Sequence, residues 1–207
     1  MQADSANHFA FLWFTLLGYA CGALPFSVWL GNLFLRRDVR AVGEDHNPGA
    51  ANAWKAGTWR LGFPVLLLDF LKGAVPVALA RQWVALDDPR MIAVALAPAL
   101  GHAFSPFLGF TGGKAITVTF GVWTALTAPI GPFVLGGLFS GLIYLVGRGA
   151  WAVMLSLLGF LGYLLVAGAP LALLGAWAVL TALLGFKHRV ELRHPPRLSA
   201  RFRPSPR

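Results

Sequence analysis

The chain alternates between long apolar runs and short polar segments. No Asp, Glu, Lys or Arg occurs in residues 9–35, 91–113, 115–147 or 149–186. A bilayer core of about 30 Å requires about 20 apolar residues per helix, and in hydrocarbon every backbone polar group needs an internal partner. Because the runs show no alternation of polar and apolar residues, they do not indicate a membrane β-barrel. The pattern predicts an all-α, polytopic integral membrane bundle.

Seven membrane-spanning helices follow from dividing these runs at turn signals. Proline and glycine interrupt helices, so we place breaks at residues 129–132 and 168–170. The predicted spans are 9–31, 61–80, 91–109, 115–128, 131–147, 150–167 and 170–186.

Composition and charge agree with this topology. Hydrophobic residues make up 57% of the 207 residues and charged residues only 12%, about half the usual share in soluble domains. The net charge is +9, and the basic residues concentrate in alternate connecting segments. The positive-inside rule then predicts an external N-terminus and a cytoplasmic C-terminus. We expect one transmembrane domain over residues 1–190 and a basic, proline-rich cytoplasmic tail over 191–207.

Two intramembrane features limit the possible chemistry. The single cysteine, Cys21, excludes a disulfide framework and a cysteine-based zinc site, and we expect no metal. Asp69 and Lys72 lie three residues apart within the second predicted span, on one helical face. Unpaired charges in lipid are costly, so we expect an ion pair that is structural or the polar centre of a transport site.

Three segments on the predicted cytoplasmic face carry polar residues beyond those that the topology requires. Residues 42–55 combine Asn and small residues, which suit a backbone anion site or an ordinary polar turn. Residues 101–114 pass through two glycines to Lys114 and open a helix, an arrangement that favours a phosphate. Within that segment, His102 is either functional or bonded to a neighbouring helix. Residues 187–194 form a basic stop, with additional His and Glu side chains.

These segments resemble the acyl-phosphate-dependent glycerol-3-phosphate acyltransferases, the PlsY family. The similar residues occur in the order of the family's motifs and cover nearly the whole chain. They are Asn47-Pro48-Gly49-Ala50-Ala51-Asn52, Leu68-Asp69-Phe70-Leu71-Lys72-Gly73, Gly101-His102, Pro106-Phe107-Leu108-Gly109-Phe110, Gly112-Gly113-Lys114 and His188-Arg189.

The chain also departs from the family's motifs. Glu44, Asp45 and His46 replace a Gly-Ser-Gly, and other replacements are Ala51 for Thr, Lys55 for Arg, Ala115 for Gly and Glu191 for Asn. The resemblance implies that the serine, arginine and asparagine positions help to hold glycerol 3-phosphate. Because carboxylates repel a phosphate, the acidic replacements leave open whether the acceptor is the same.

The resemblance implies transfer of a fatty acyl group from acyl phosphate to the 1-hydroxyl of glycerol 3-phosphate. It implies catalytic roles for His102, Lys114 and His188, with His102 either a base or only a hydrogen-bond donor. Backbone N–H groups of 47–52 and 112–114 are expected to help bind the two anions. The expected substrate-binding residues are Asp45, Asn47, Gly49, Ala50, Asn52, Lys55, Gly112, Gly113, Arg189 and Glu191.

The expected partners are therefore acyl phosphate, glycerol 3-phosphate and the lipid bilayer, with no cofactor and no nucleic acid. We expect a monomer in the bacterial inner membrane, with its active site facing the cytoplasm. Two alternatives remain open at this point. One is a relative with another acceptor or no activity, and the other is a small membrane transporter, whose site would lie near the membrane midplane.

Overall fold

The computed structural model describes residues 2–43, 45–146 and 149–196, and their regular secondary structure is helical. Short 3-10 helices occur at Val39–Ala41 and Pro106–Leu108. The α-helices are α1 (Gln2–Ala23), α2 (Phe26–Leu35), α3 (Ala50–Ala80), α4 (Arg90–Ala103), α5 (Ile116–Thr127), α6 (Ile130–Leu145), α7 (Gly149–Val166), α8 (Leu171–Lys187) and α9 (Arg189–Leu192).

Seven apolar helical segments in this described part of the chain coincide with the seven predicted spans. Four are long and apolar enough to cross a membrane: Phe9–Leu35, Ala50–Ala80, Arg90–Leu108 and Gly149–Val166. The other three, α5, α6 and α8, contain 12 to 17 residues. The prediction of an all-α integral membrane bundle is confirmed. Glu44, Arg148 and the tail beyond residue 196, which entered the sequence-based predictions, lie outside the described residues.

The first predicted span is not one continuous helix. It is interrupted at Leu24 and Pro25, where α1 ends and α2 begins. Proline has no backbone N–H and its ring disrupts the preceding helical turn, so the interruption follows from Pro25. The prediction of one uninterrupted span over residues 9–31 is therefore wrong.

The carbonyl groups freed by this interruption are bound by side chains from two other segments. The Lys72 ammonium of α3 donates a hydrogen bond of 2.8 Å to the Leu24 carbonyl, and the Ser105 hydroxyl donates to the Ala23 carbonyl. Lys72 also forms an ion pair of 2.7 Å with Asp69, and both side chains are only 3% exposed. The predicted ion pair is therefore confirmed, and it stabilises the broken span.

Helix α3 begins well before the membrane span predicted at 61–80. A kink separates its first seven residues from the rest, because Gly57 and Thr58 leave helical geometry and Thr58 has a φ of 57°. The short N-terminal part contains the buried Asn52, while the long apolar part contains Asp69 and Lys72. The kink allows one helix to contribute both to the polar end of the bundle and to its core.

Close helix crossings hold the bundle together. A Cβ atom at Gly101 of α4 would overlap the Tyr19 carbonyl of α1, and one at Gly121 of α5 would overlap the Phe70 carbonyl of α3. Glycine at such positions lets two backbones approach closely, as is common between membrane helices. Trp123 and Phe160 complete the core with an edge-to-face contact at 5.0 Å between ring centroids.

We expect Lys72→Met to lower the free energy of unfolding by about 3 kcal/mol, because it leaves Asp69 and the Leu24 carbonyl buried without their partner. Thermal unfolding of the purified protein in detergent measures this effect. Arg60→Met removes a positive charge from an exposed side chain and serves as the control. The double variant Asp69→Leu/Lys72→Met should be more stable than Lys72→Met; equal or lower stability would contradict the ion-pair explanation.

Candidate active site

A polar cavity of about 770 Å³ opens where three separate segments meet at one end of the bundle. Its walls are supplied by the loop before α3, by the end of α8 with α9, and by residues 104–115 before α5, which we call the glycine loop. Its charged and histidine lining residues are Asp38, Arg40, Asp45, His46, Lys114, Lys187, Arg189 and Glu191. Segments far apart in the sequence are thus brought together.

Lys114 lines this cavity and binds two carboxylates. Its Nζ atom lies 2.6 Å from Asp45 Oδ2 and 2.6 Å from Glu191 Oε1. Burial favours the neutral amine, but the hydrogen bonds to both carboxylates outweigh it and raise the pKa of Lys114. The two acidic replacements noted in the sequence therefore neutralise the lysine that we expected to bind phosphate.

Asp45 is fixed by further donors from its own segment. Asn52 Nδ2 donates to Asp45 Oδ1 at 3.0 Å and to the Asn47 carbonyl at 2.9 Å, and the Asn47 N–H donates to the same Asp45 oxygen. Burial raises the pKa of Asp45, but the hydrogen bonds from Lys114 and Asn52 outweigh it, so this pKa lies at about 2. Asn52 is buried and does not line the polar cavity, so it supports the site through Asp45.

His188 lies behind the two carboxylates at the end of α8. It is 3% exposed, and its Nδ1 atom is 3.4 Å from Glu191 Oε2. Neither ring nitrogen has a hydrogen-bond partner among the described residues. Burial outweighs the attraction of Glu191 and lowers the pKa of His188, which favours the neutral ring. A neutral imidazole can donate or accept a hydrogen bond at this position.

Lys187 fixes the glycine loop, a role that the sequence-based prediction missed. Its ammonium donates to the Ala103 carbonyl at 2.8 Å and to the Gly112 carbonyl at 2.9 Å. The sequence indicated only a basic residue at the end of an apolar run, which the positive-inside rule explains without any contact. Its position directly before the predicted catalytic His188 was the available signal.

His102 does not line the polar cavity. Its carbonyl accepts a hydrogen bond of 2.9 Å from the Gly113 N–H, and its ring packs so closely on Gly113 that a Cβ there would overlap Nε2. Its Nδ1 atom lies 4.0 Å from Asp69 Oδ1. The Gly113 N–H that we had expected to bind an anion is therefore already occupied.

A second space, the junction cavity of about 320 Å³, begins beside Lys114 and leads towards the lipid-facing side. It is lined by Asn47, Gly49, Ala50, Ala51, Trp54, Leu66, Asp69, His102, Lys114, Ala115, Ile116, Thr117 and Phe139. Asn47 and Lys114 line both this cavity and the polar cavity. These two side chains mark the boundary between the polar and the apolar parts of the site.

An apolar groove of about 320 Å³ continues from the junction cavity between α3, α5 and α6. The two spaces share Leu66, Ile116, Thr117 and Phe139. The groove opens at the surface beside exposed Phe63 and Leu67, so it is accessible from the side of the bundle.

Most of the predicted site residues line these spaces, but Asn52, Lys55, Gly113 and His188 do not. Gly112, Arg189 and Glu191 line the polar cavity, and Gly49 and Ala50 line the junction cavity. Lys55 is exposed and lines neither, because it lies on another face of the short helical segment before the kink. In the described ranges, no three His, Cys, Asp or Glu side chains are grouped to hold a metal ion.

Comparison with known proteins identifies the family. A sequence model described as glycerol-3-phosphate acyltransferase matches residues 12–195. The chain belongs to this family. Among curated members, glycerol-3-phosphate acyltransferase 1 of Thermotoga maritima is 48% identical over 100 residues, which are 47% of this chain and 49% of that protein. The Leptospira borgpetersenii enzyme is 40% identical over 131 residues, which are 63% and 58% of the two chains.

Solved structures of this acyltransferase family share the fold. The glycerol 3-phosphate form of PlsY, an integral membrane glycerol 3-phosphate acyltransferase, matches with a TM-score of 0.82 and 29% identity. Its lysophosphatidic acid form matches with a TM-score of 0.78 and 27% identity. Each alignment covers 88% of this chain and 90% of the other. The chain spans only about half the length of the curated relatives given above.

The Asp45–Lys114 contact should make stability depend on pH in the acidic range. A carboxyl whose pKa is lowered by folding stabilises the folded state above its unfolded pKa, near 3.8, and this contribution disappears as pH falls towards about 2. We expect the melting temperature of Asp45→Asn to be lower than that of the wild type by a constant amount from pH 5 to 8. This difference in melting temperature should shrink below about pH 4. Thermal unfolding across a pH series measures this, and an undiminished difference at the lowest pH would contradict it.

Proposed function

We propose that this chain transfers a fatty acyl group from acyl phosphate to the 1-hydroxyl of glycerol 3-phosphate, giving lysophosphatidic acid and inorganic phosphate. The single observation that carries the proposal is the position of Lys114, which lines both the polar cavity and the apolar junction cavity. A water-soluble acceptor and a lipid-like donor would meet there. The family match and the ligands named for the two PlsY structures support the same reaction.

The apolar side of the site suits the acyl donor. The acyl chain would lie in the groove between α3, α5 and α6, and the phosphate would reach the junction cavity beside Asn47 and Lys114. The amide of Asn47 and the ammonium of Lys114 are suitable donors to phosphate oxygens. His102 lines the same junction cavity, so we assign it a hydrogen-bonding role towards the donor.

The polar side suits the acceptor. Lys114, Lys187 and Arg189 supply positive charge, and the cavity of about 770 Å³ is wide enough for a small polyol phosphate. His188 is buried and does not line this cavity, so it would act on the acceptor only through Glu191, whose Oε2 atom lies 3.4 Å from His188 Nδ1. Asp45 and Asn52 would hold this wall in place.

The chemistry requires positioning and charge stabilisation more than a dedicated nucleophile. The acceptor hydroxyl oxygen bonds to the acyl carbon, the bond between that carbon and the phosphate oxygen breaks, and the hydroxyl proton passes to a substrate phosphate. Because acyl phosphate is already activated, no acyl-enzyme intermediate is needed. Lys114 would stabilise the negative charge that develops in the transition state.

The proposed setting is a bacterial inner membrane with the polar cavity on the cytoplasmic side and the protein acting as a monomer. The distribution of basic residues in the sequence supports this orientation. A transport function is less well supported, because the Asp69–Lys72 pair is bonded to the Leu24 carbonyl within the bundle. A catalytically altered relative is a second candidate, favoured by the two carboxylates that bind Lys114.

In lipid nanodiscs, the purified protein should release phosphate from acyl phosphate only when glycerol 3-phosphate is added. Lys114→Ala should lower this turnover by at least about 100-fold, because charge stabilisation at the reacting group is lost. Phosphate release and lysophosphatidic acid formation are the measurements.

Arg60→Ala is the matched control for that experiment. It removes one positive charge at an exposed side chain that packs on Trp59, outside both cavities, and it should leave turnover unchanged. Absence of turnover in the wild type with several polyol phosphates would reject the enzyme assignment. A folded Lys114→Ala variant with full activity would reject the role of Lys114.

Thr117→Trp should block the passage between the junction cavity and the apolar groove. The ratio of kcat/KM for a long-chain donor to that for a short-chain donor should fall by about tenfold, because a long chain loses its apolar contacts. Phe133→Trp, at a side chain that is 80% exposed on α6, is the control. An unchanged ratio in a folded Thr117→Trp variant would place the acyl chain elsewhere.

A further inference from the structure

The hydrogen-bonding capacity of Lys114 is largely used within the protein. A lysine ammonium has three N–H donors, and Asp45 and Glu191 each lie 2.6 Å from the Lys114 nitrogen. The Lys114 side chain is 20% exposed, and those of Asp45 and Glu191 are 37% and 35% exposed. The cluster therefore faces the polar cavity, where an entering anion has to compete with two carboxylates.

The two carboxylates are not held equally. Asp45 accepts hydrogen bonds from the Asn52 amide and the Asn47 N–H in addition to its contact with Lys114. Glu191 lies on the four-residue helix α9, and its Oε2 atom makes no hydrogen bond within the described part of the chain and has only a longer contact of 3.4 Å with His188 Nδ1. The contact with Lys114 is thus the main interaction that holds the Glu191 carboxylate in the cavity.

The other cations of the cavity also have partners. Arg40 binds Asp38 through Nε and Nη2, and Lys187 is bonded to two backbone carbonyls. The cavity lining contains four Lys and Arg side chains and three carboxylates, so its net charge is +1. If Glu191 moved out of the cavity, the net charge of the lining would rise to +2 and one face of Lys114 would be exposed.

We propose that Glu191 is a built-in competitor for the acceptor's phosphate, which must displace it from Lys114 in order to bind. Asp45 stays in place and keeps the ammonium oriented. Glu191 therefore determines acceptor affinity and weakens it, whereas the resemblance had suggested a position that helps to hold the acceptor. The inference rests on the proposed function in taking a phosphate as the entering anion.

Exchange of one anion for another explains the direction of the effect. A phosphate gains the attraction of Lys114 only by replacing the attraction of Glu191, so part of the binding free energy is cancelled. The Glu191 carboxylate also repels a dianion at short range until it moves away. The competition for Lys114 and the repulsion of the dianion both disappear when the side chain is a neutral amide of the same shape.

The test compares the wild type with Glu191→Gln and Glu191→Asn in lipid nanodiscs. The KM for glycerol 3-phosphate should fall by about fivefold in both variants, with kcat unchanged, as expected for loss of a partly exposed ionic contact. Calorimetry should show a parallel decrease in the Kd of inorganic phosphate, a probe that does not depend on turnover. Asp87→Asn removes one negative charge from an exposed side chain outside the cavity and should change neither value.

A raised KM in Glu191→Gln would overturn the proposal and would identify Glu191 as a ligand of the acceptor. Lower thermal stability with an unchanged KM and phosphate Kd would also overturn it and would leave a structural role. If the wild type transfers no acyl group, the proposed function fails, and phosphate calorimetry still decides the inference. Failure of Glu191→Gln to bind phosphate more tightly than the wild type would then refute it.

Discussion

A break in a membrane-spanning helix leaves backbone carbonyl groups that water cannot reach, and each one costs several kcal/mol if it stays unpaired. Pro25 creates such a break, and the Lys72 ammonium binds the Leu24 carbonyl that it exposes. Lys72 is itself tolerated in the core only because Asp69 neutralises it at 2.7 Å. Ser105 binds the second freed carbonyl from the start of the glycine loop. The interruption of one helix is thereby tied to two other segments.

A series of contacts connects this broken helix to the polar cavity. Asp69 lies beside His102, whose carbonyl binds the Gly113 N–H, and Lys187 holds the adjacent Gly112 carbonyl. Each contact fixes a backbone group of the loop that carries Lys114. The glycine loop therefore has little freedom to move, and its lysine is presented at one place between the polar cavity and the junction cavity.

The helical fold was predictable from the sequence because long apolar runs are a strong signal of membrane-spanning helices, whereas the motifs of the site were found through the resemblance to a known family. The break at Pro25 was within reach, since proline interrupts helices, but a 27-residue apolar run suggested continuity. The binding of Lys114 by both Asp45 and Glu191 was not predictable, because those residues lie in three distant segments. From the sequence we expected the acidic side chains to lie beside a phosphate and not to bind the lysine.

The lateral opening of the apolar groove has an energetic consequence for the proposed reaction between a lipid and a soluble metabolite. Moving an acyl chain from the bilayer into water costs about 0.8 kcal/mol for each methylene group. A groove that opens beside Phe63 and Leu67 would let the tail of the proposed donor remain among other hydrocarbon throughout the reaction. In the proposed reaction only the headgroup would then have to reach the aqueous side, and the product would be released already inserted in the bilayer.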